Sequence, residues 1–235
     1  MIFQHPDLIC AFSTRPENMS LAYGDTKDVL LNRREFLGSL GVDPDALVCA
    51  KQVHGAVVKY VTEADRGRGA LSAESAIEGT DALITDKKNL PLGIFTADCL
   101  SIFLFDPTNL SIGVIHAGWR SSRENIAVKT INLMAEKFRT KAAHLYVGFG
   151  PALRKCCYEV GEEFRSYFSD CVKESDGKLF LDLAAVNLKQ LLELGVERAR
   201  IHDTKICTCC RNKDYFSFRK EGNSCGRIAS VIMLK

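Results

Sequence analysis

The sequence predicts an α+β fold, a single domain over residues 1–235 with mixed β-sheets layered with helices. Three observations carry this expectation. First, the short β-branched or aromatic runs between Ala82 and His116 are joined by connections too brief for crossover helices, so their pairing is antiparallel or mixed. Second, segments of helical periodicity flank this block on both sides. Third, neither a G-x-G-x-x-G nor a P-loop pattern is present to indicate a doubly wound nucleotide fold. A length of 235 residues fits one large domain, and no low-complexity segment, Pro-rich linker or repeat marks a boundary.

The elements follow in chain order. A helix is expected from about Lys27 to Leu40, because Val29, Arg33, Phe36, Leu37 and Leu40 recur at helical spacing and Gly41 stands where a C-terminal cap belongs. Leu47–Val61 reads as extended, interrupted at Gly55. Ala82–Thr85, Leu92–Thr96, Ser101–Phe105 and Ser111–His116 read as consecutive buried strands. Ser121 and Glu124 form a capping-box pattern expected to open a helix with the stripe Ala127, Ile131, Met134, Ala135 and Phe138. Leu145–Phe149 is a further strand, ended by Gly150-Pro151. A helix over Ala184–Leu194 closed by Gly195 and a last strand, Ile228–Leu234, complete the reading.

Composition narrows the function classes. Hydrophobic residues make up 46% and charged residues 26%, the balance of a globular protein with a sizeable core. A net charge of +2 with scattered basic residues gives no patch for nucleic acid or an anionic membrane, so neither is expected as a partner. MIFQHPDLICAF lacks a basic n-region and is broken by Pro6 and Asp7, unlike a secretory signal. The nearly apolar stretch Pro91–Phe105 contains Asp98 and is shorter than the about 20 residues of a spanning helix. A cytoplasmic location is expected, with the ten cysteines as thiols.

Chemistry concentrates where polar residues interrupt apolar strands: Lys51-Gln52-Val53-His54-Gly55, Phe95-Thr96-Ala97-Asp98-Cys99-Leu100 and Ile115-His116-Ala117-Gly118-Trp119-Arg120. Taken singly these residues decide little. A buried cysteine is ordinarily a small core hydrophobe, and a histidine after a strand can satisfy itself on backbone groups. Asp98 is harder to set aside, because a carboxylate in an apolar run needs a partner; it either caps the turn before Cys99 or orients a metal-bound imidazole.

Several motifs together are more specific. QVHG at Gln52–Gly55, TDALIT at Thr80–Thr85, TADCL at Thr96–Leu100, HAGWR at His116–Arg120, GPAL and CCYEVGEEF between Gly150 and Phe164, and CT-x-C, YFSFR and GR between Cys207 and Arg227 occur in order. In these the chain resembles the laccase-domain family, once called multicopper polyphenol oxidases and later described as purine nucleoside phosphorylases. The resemblance runs from Ser13-Thr14-Arg15 to the C-terminal motif. It implies a zinc site of His54, Cys99 and His116, and phosphorolysis of adenosine, inosine and methylthioadenosine together with hydrolytic deamination of adenosine. It also implies a layered fold shared with toxin-type cysteine hydrolases. The chain departs from the family pattern at Pro16-Glu17-Asn18-Met19, Ser121 and Arg154-Lys155, which bear on loops more than on the metal site.

Three ligands from three separated segments suit a catalytic metal, since a structural zinc is normally closed by four. The zinc deaminase signature H-x-E with P-C-x-x-C is absent, so deamination would be convergent. The residues expected to act in the reaction are Cys99, His54, His116, Asp98 and Arg120; Arg15, Lys51 and Trp119 are expected to bind nucleoside and phosphate. Arg15, Lys51 and Arg120 are the cations nearest the motifs, and an arginine suits bidentate phosphate binding. Trp119 and Phe149 are candidates to wall a base pocket. Five histidines, His5, His54, His116, His144 and His202, are too few for several copper centres. A mononuclear copper, and hence a phenol oxidase, stays compatible with a two-histidine, one-cysteine set, though less so than zinc, because no Met adjoins it. Cys207 and Cys210 form a lone C-x-x-C, open to being half a structural zinc site or a redox pair, but with no second C-x-x-C and Cys225 standing alone they are read as core or edge packing; Cys156-Cys157 are read as structural thiols near a loop. Two rivals use the same residues: a metal-free hydrolase with Cys99 as nucleophile and His54 or His116 as base, and a zinc-stabilised binding module without turnover.

Overall fold

The computed structural model describes residues 5–235; residues 1–4 of the N-terminal segment read above lie outside it. Strand β1 (Leu8–Phe12) is followed by helix α1 (Thr26–Ser39), whose N-cap Asp25 accepts hydrogen bonds from the Lys27 and Asp28 amides. The helix ends where Gly41 takes a φ of +70°, the left-handed conformation its position promised. Arg33 lies on its buried face because Met19, Gly69 and Ala70 present three backbone carbonyls to its guanidinium. The extended segment that follows resolves into two short strands, β2 (Val48–Cys49) and β3 (Val58–Tyr60), with the QVHG loop between them.

Next come β4 (Ala82–Thr85), β5 (Leu92–Thr96), β6 (Leu100–Asp106) and β7 (Ser111–Ala117), close to the expected bounds. The expected capping box does not form. Helix α2 (Trp119–Arg123) starts at the Gly118 N-cap, and the Ser121 hydroxyl donates to the carbonyls of His116 and Gly118 instead of receiving the Glu124 amide. Asn125, at φ +58°, then breaks the chain before α3 (Ile126–Phe138), which carries the anticipated apolar stripe.

The remainder comprises β8 (Tyr146–Phe149), β9 (Glu159–Val160), α4 (Glu163–Tyr167), β10 (Val172–Ser175), β11 (Lys178–Leu181), α5 (Leu183–Glu193), β12 (Ile201–Asp203), α6 (Phe218–Glu221) and β13 (Ile228–Leu234). The β10–β11 hairpin turns through Asp176-Gly177, both at positive φ, the backbone that suits a tight two-residue connection.

Strands assemble into a four-stranded sheet ordered β1-β13-β5-β2, a six-stranded sheet ordered β12-β8-β6-β7-β4-β3, and a small sheet ordered β10-β11-β9. Both larger sheets are mixed: β2 runs parallel to β5, β3 to β4 and β12 to β8, while the other pairings are antiparallel. The consecutive strands β4 and β5 belong to different sheets.

Alternation along β6 explains the layering. Ile102 and Leu104 face Ile126, Ile131 and Met134 of α3, whereas Phe103 and Phe105 face the other sheet, among Leu92, Ile94 and Ile232. The far face of the four-stranded sheet, through Ile9, Val231 and Met233, packs on Leu37 of α1 and on Val42. Helices therefore cover two stacked sheets on both outer faces. Strands buried on both sides read as continuous apolar runs, and every residue of β6, β7 and β13 is buried. Truncating a ring such as Phe103, which is fully buried, costs about 3–5 kcal/mol in such a setting.

Candidate metal centre

The centre is built around a carboxylate that the sequence reading passed over. Asp81 immediately precedes β4 and is fully buried. Its Oδ1 accepts the His116 Nδ1 proton at 2.7 Å and the His54 amide at 2.9 Å; its Oδ2 accepts the amides of Val53 at 3.2 Å and Gly55 at 2.8 Å. The QVHG loop is thus wrapped around one side chain, and this holds His54 at φ +60°, a conformation costly for a residue with a Cβ. His116, at the end of β7, is fixed twice, since its amide also donates to the Asp81 carbonyl. With Nδ1 engaged, Nε2 is the nitrogen left to bind a metal.

Cys99 sits in the turn where the chain passes from β5 in one sheet to β6 in the other. The donor atoms of His54, Cys99 and His116 all lie within 4.8 Å of one another. The two imidazoles stand edge to face, with centroids 4.7 Å apart. Gly118 leaves the space they need: a Cβ there would lie 3.2 Å from the His54 ring and 3.3 Å from the Cys99 sulfur. Two imidazoles and one thiol converging from three loops, with one imidazole oriented by a carboxylate, form a donor set that fits zinc and leaves a coordination position open.

The charges agree with this fit. Burial alone would push the Cys99 thiol up, but the His116 charge and hydrogen bonds from both histidines bring it down to about 6. Burial alone would push His116 down, but the Cys99 thiolate and Asp81 bring it up to about 9. Burial likewise opposes ionisation of Asp81, yet His116 and the loop amides hold it below the usual carboxylate range. Both shifts favour the charged forms, a thiolate beside an imidazolium.

Asp98 takes the turn-holding alternative, not the imidazole-orienting one. At φ +84°, it accepts the Thr208 hydroxyl at 2.6 Å on Oδ1 and the Arg219 amide at 2.6 Å on Oδ2, and its carbonyl receives the Leu153 amide. It ties distant C-terminal segments to the Cys99 turn, and the histidine partner is Asp81. The TDALIT motif contained the signal, since an acid set against a buried strand needs a partner by the same reasoning applied to Asp98.

The donors line one wall of a cavity of about 590 Å³. Trp119 also lines it, packed on Phe164 at 5.1 Å and stacked on Tyr167 at 6.1 Å. Phe149 does not; it is buried in the core behind the six-stranded sheet. Of the expected phosphate cations, Arg15 is placed elsewhere, stacked over Phe216 and bonded to Glu221 at 2.6 Å, so its charge is already matched. Lys51 lines the cavity but pairs with Glu78 at 2.9 Å. Arg33, Arg219 and Arg227 also reach the cavity, each with its guanidinium on backbone carbonyls. Arg120 rests over the Trp119 ring at 4.4 Å and has no hydrogen-bond or ion-pair partner among the described residues. Tyr158, Phe164 and Arg219 were missed as lining residues, although each falls within a quoted motif.

A second group also assembles: the sulfurs of Cys156, Cys157, Cys207 and Cys210 all lie within 4.8 Å of one another. Cys156 and Cys210 are exposed and Cys207 is buried, so a core-packing reading fits Cys207 and not Cys210.

Residues 12–235 match the family model described as multi-copper polyphenol oxidoreductase laccase. The chain belongs to that family. Among its relatives is a purine nucleoside phosphorylase YlmD of Geobacillus stearothermophilus, 34% identical over 225 residues that span 92% of this chain and 82% of the relative. An adenosine deaminase RL5 of an unknown prokaryotic organism is 33% identical over 90% of this chain and 84% of its own. The crystal structure of YlmD from Geobacillus stearothermophilus superposes with a TM-score of 0.94 at 31% identity, covering 98% of this chain and 93% of that one. The family description speaks of several coppers, but this laccase-family chain brings only His54 and His116 into a donor cluster among its described residues.

Proposed function

We propose that the protein is a zinc-dependent purine nucleoside enzyme, phosphorolysing adenosine, inosine and methylthioadenosine and hydrolytically deaminating adenosine. The observation that carries this is an open three-donor set on the wall of an apolar cavity that also holds an arginine with no hydrogen-bond or ion-pair partner among the described residues. Relatives named purine nucleoside phosphorylase and adenosine deaminase support the same reading.

In this reading His54, Cys99 and His116 hold the metal. A zinc ion supplies Lewis acidity there, bringing the ionisation of water towards neutral pH. Asp81 keeps the His116 proton at Nδ1 and the ring in place. Trp119 offers an aromatic wall to the purine. Tyr158, pushed up by burial and by the Cys99 thiolate, keeps its hydroxyl proton and can donate it in a hydrogen bond to a bound nucleoside. Arg120 binds phosphate beside the ribose through a charge-assisted contact.

The test is incubation of the enzyme with adenosine and phosphate, with ribose-1-phosphate and inosine resolved by chromatography. Parent enzyme should form both. Arg120→Ala should lower ribose-1-phosphate about ten- to a hundredfold, the equivalent of about 1.5–3 kcal/mol for a lost charged contact, and inosine far less. An unchanged product ratio in a folded variant would remove Arg120 from the phosphate site. Absence of both products from the parent would remove the proposed activity.

One observation favours a second reading. The thiolate–imidazolium pair of Cys99 and His116 is the arrangement of a cysteine nucleophile with its base. Turnover of an ester or amide by zinc-free protein would support it.

A further inference from the structure

We propose that Cys156, Cys157, Cys207 and Cys210 form a second, structural zinc site, separate from the His54–Cys99–His116 centre. Four sulfurs at ~2.3 Å around one ion stand ~3.8 Å apart. Here all four lie within 4.8 Å, with the Cys210 sulfur 3.5 Å from that of Cys156 and 3.4 Å from that of Cys157. Small sulfur displacements complete a tetrahedron. The set is all thiol and closed at four ligands, which is the composition of a structural zinc site and leaves no coordination position for substrate.

The convergence is enforced by backbone. The Ala152 and Thr208 amides exchange hydrogen bonds with the carbonyls of Ile206 and Ala152, so the two turns lie side by side. Arg154 crosses between them, bonding Asp203 through both terminal nitrogens and the Ile206 carbonyl through Nε. The Cys157 amide closes one turn on the Arg154 carbonyl, and the Arg211 amide closes the other on Cys207. Backbone amides of Arg154 and Cys210 point at the Cys207 sulfur. Binding replaces four thiol protons, released to solvent, by one divalent ion. No redox partner is required.

The site's role is positional. Arg219 donates to the Cys157 carbonyl from its side chain and to Asp98 from its amide, and Asp98 adjoins Cys99. Clamping the two turns therefore steadies the wall that carries Tyr158 and Arg219 beside the catalytic cavity.

The test uses full-length protein expressed with zinc and purified under reductant without chelator. Elemental analysis should give two zinc ions per chain for the parent, one for Cys156→Ser/Cys210→Ser and one for Cys99→Ala. Cobalt-substituted Cys99→Ala should show sulfur-to-cobalt charge transfer about four times as strong per ion as the double serine variant, following four thiolates against one. The double variant should also unfold about 5 °C or more below the parent. Equal zinc in parent and double variant overturns the proposal. So does an intact mass lowered by a disulfide's two hydrogens in metal-free parent protein that cannot be reloaded after reduction. If the double variant does not fold, the cobalt spectrum of Cys99→Ala decides, and absence of thiolate charge transfer there overturns the site. A failed catalytic reading would instead appear as zinc loss confined to the His54–Cys99–His116 centre.

Discussion

Cys99 and His116 stand at strand ends of one sheet, with β6 and β7 buried along their whole length behind them, whereas the four clustered cysteines sit in two turns and expose Cys156 and Cys210 to solvent. Three donors against four, one set beside a large cavity and the other between two turns: in the readings proposed above, the contrast separates a site open for chemistry from one closed for structure. Rigidity is obtained differently in the two places. Asp81 gathers three loop amides and an imidazole at the first, while backbone pairing and Arg154 align the second. A donor set is best judged by what is left uncoordinated, and only the first leaves anything.

Replacing a donor breaks the contrast most sharply. In the proposed reaction scheme, Cys99→Ala or His116→Ala should abolish phosphorolysis and deamination together, because both would depend on the same ion. Chromatographic assay of either product at wild-type level in Cys99→Ala would place the reaction elsewhere. Asp81→Asn is the next largest effect. It keeps the volume but loses the charge and the preferred acceptor for His116 Nδ1, so zinc affinity measured by competition with a chelator should fall about 10- to 100-fold. An unchanged affinity would reduce Asp81 to a loop anchor. The smallest effect is one of pH. In metal-free protein the lowered Cys99 pKa puts the reactive thiolate above about pH 6, so alkylation of Cys99 by iodoacetamide should rise through that pH and level off by neutrality. Added zinc should protect it. A rise only near pH 9, the ordinary thiol range, would show that His116 does not polarise Cys99.

Much of this was legible in the sequence where one interaction dominates locally. Strands buried on both faces gave continuous apolar runs, and β13 matches its expected bounds of Ile228–Leu234. What the sequence hid depended on partners far along the chain. Asp81 meets His54 and His116 from 27 and 35 residues away. The cysteine cluster joins residues more than 50 apart, and its first half is an adjacent pair rather than a C-x-x-C, so a search for repeated metal knuckles missed it. Ser121 and Glu124 had capping-box spacing, but two nearby carbonyls took the hydroxyl first. The small sheet of β9, β10 and β11 escaped because β10 exposes three of its four residues and lacks an apolar period, although Asp176-Gly177 marked its turn.

The position of β13 between β1 and β5 has a consequence for how the enzyme comes into being. A growing polypeptide can pair β6 with β7 and β4 as soon as they emerge, since these contacts are near in sequence. The companion sheet is joined up only when residues 228–234 have been made, because β13 is the partner of β1 and lies between it and β5, which before then pairs with β2 alone. The turn bearing Cys99 leads directly from β5, and it is braced through Asp98 by Thr208 and Arg219, which are also synthesised late. Until those segments have been made, the turn bearing Cys99 therefore lacks the Asp98 contacts that hold it.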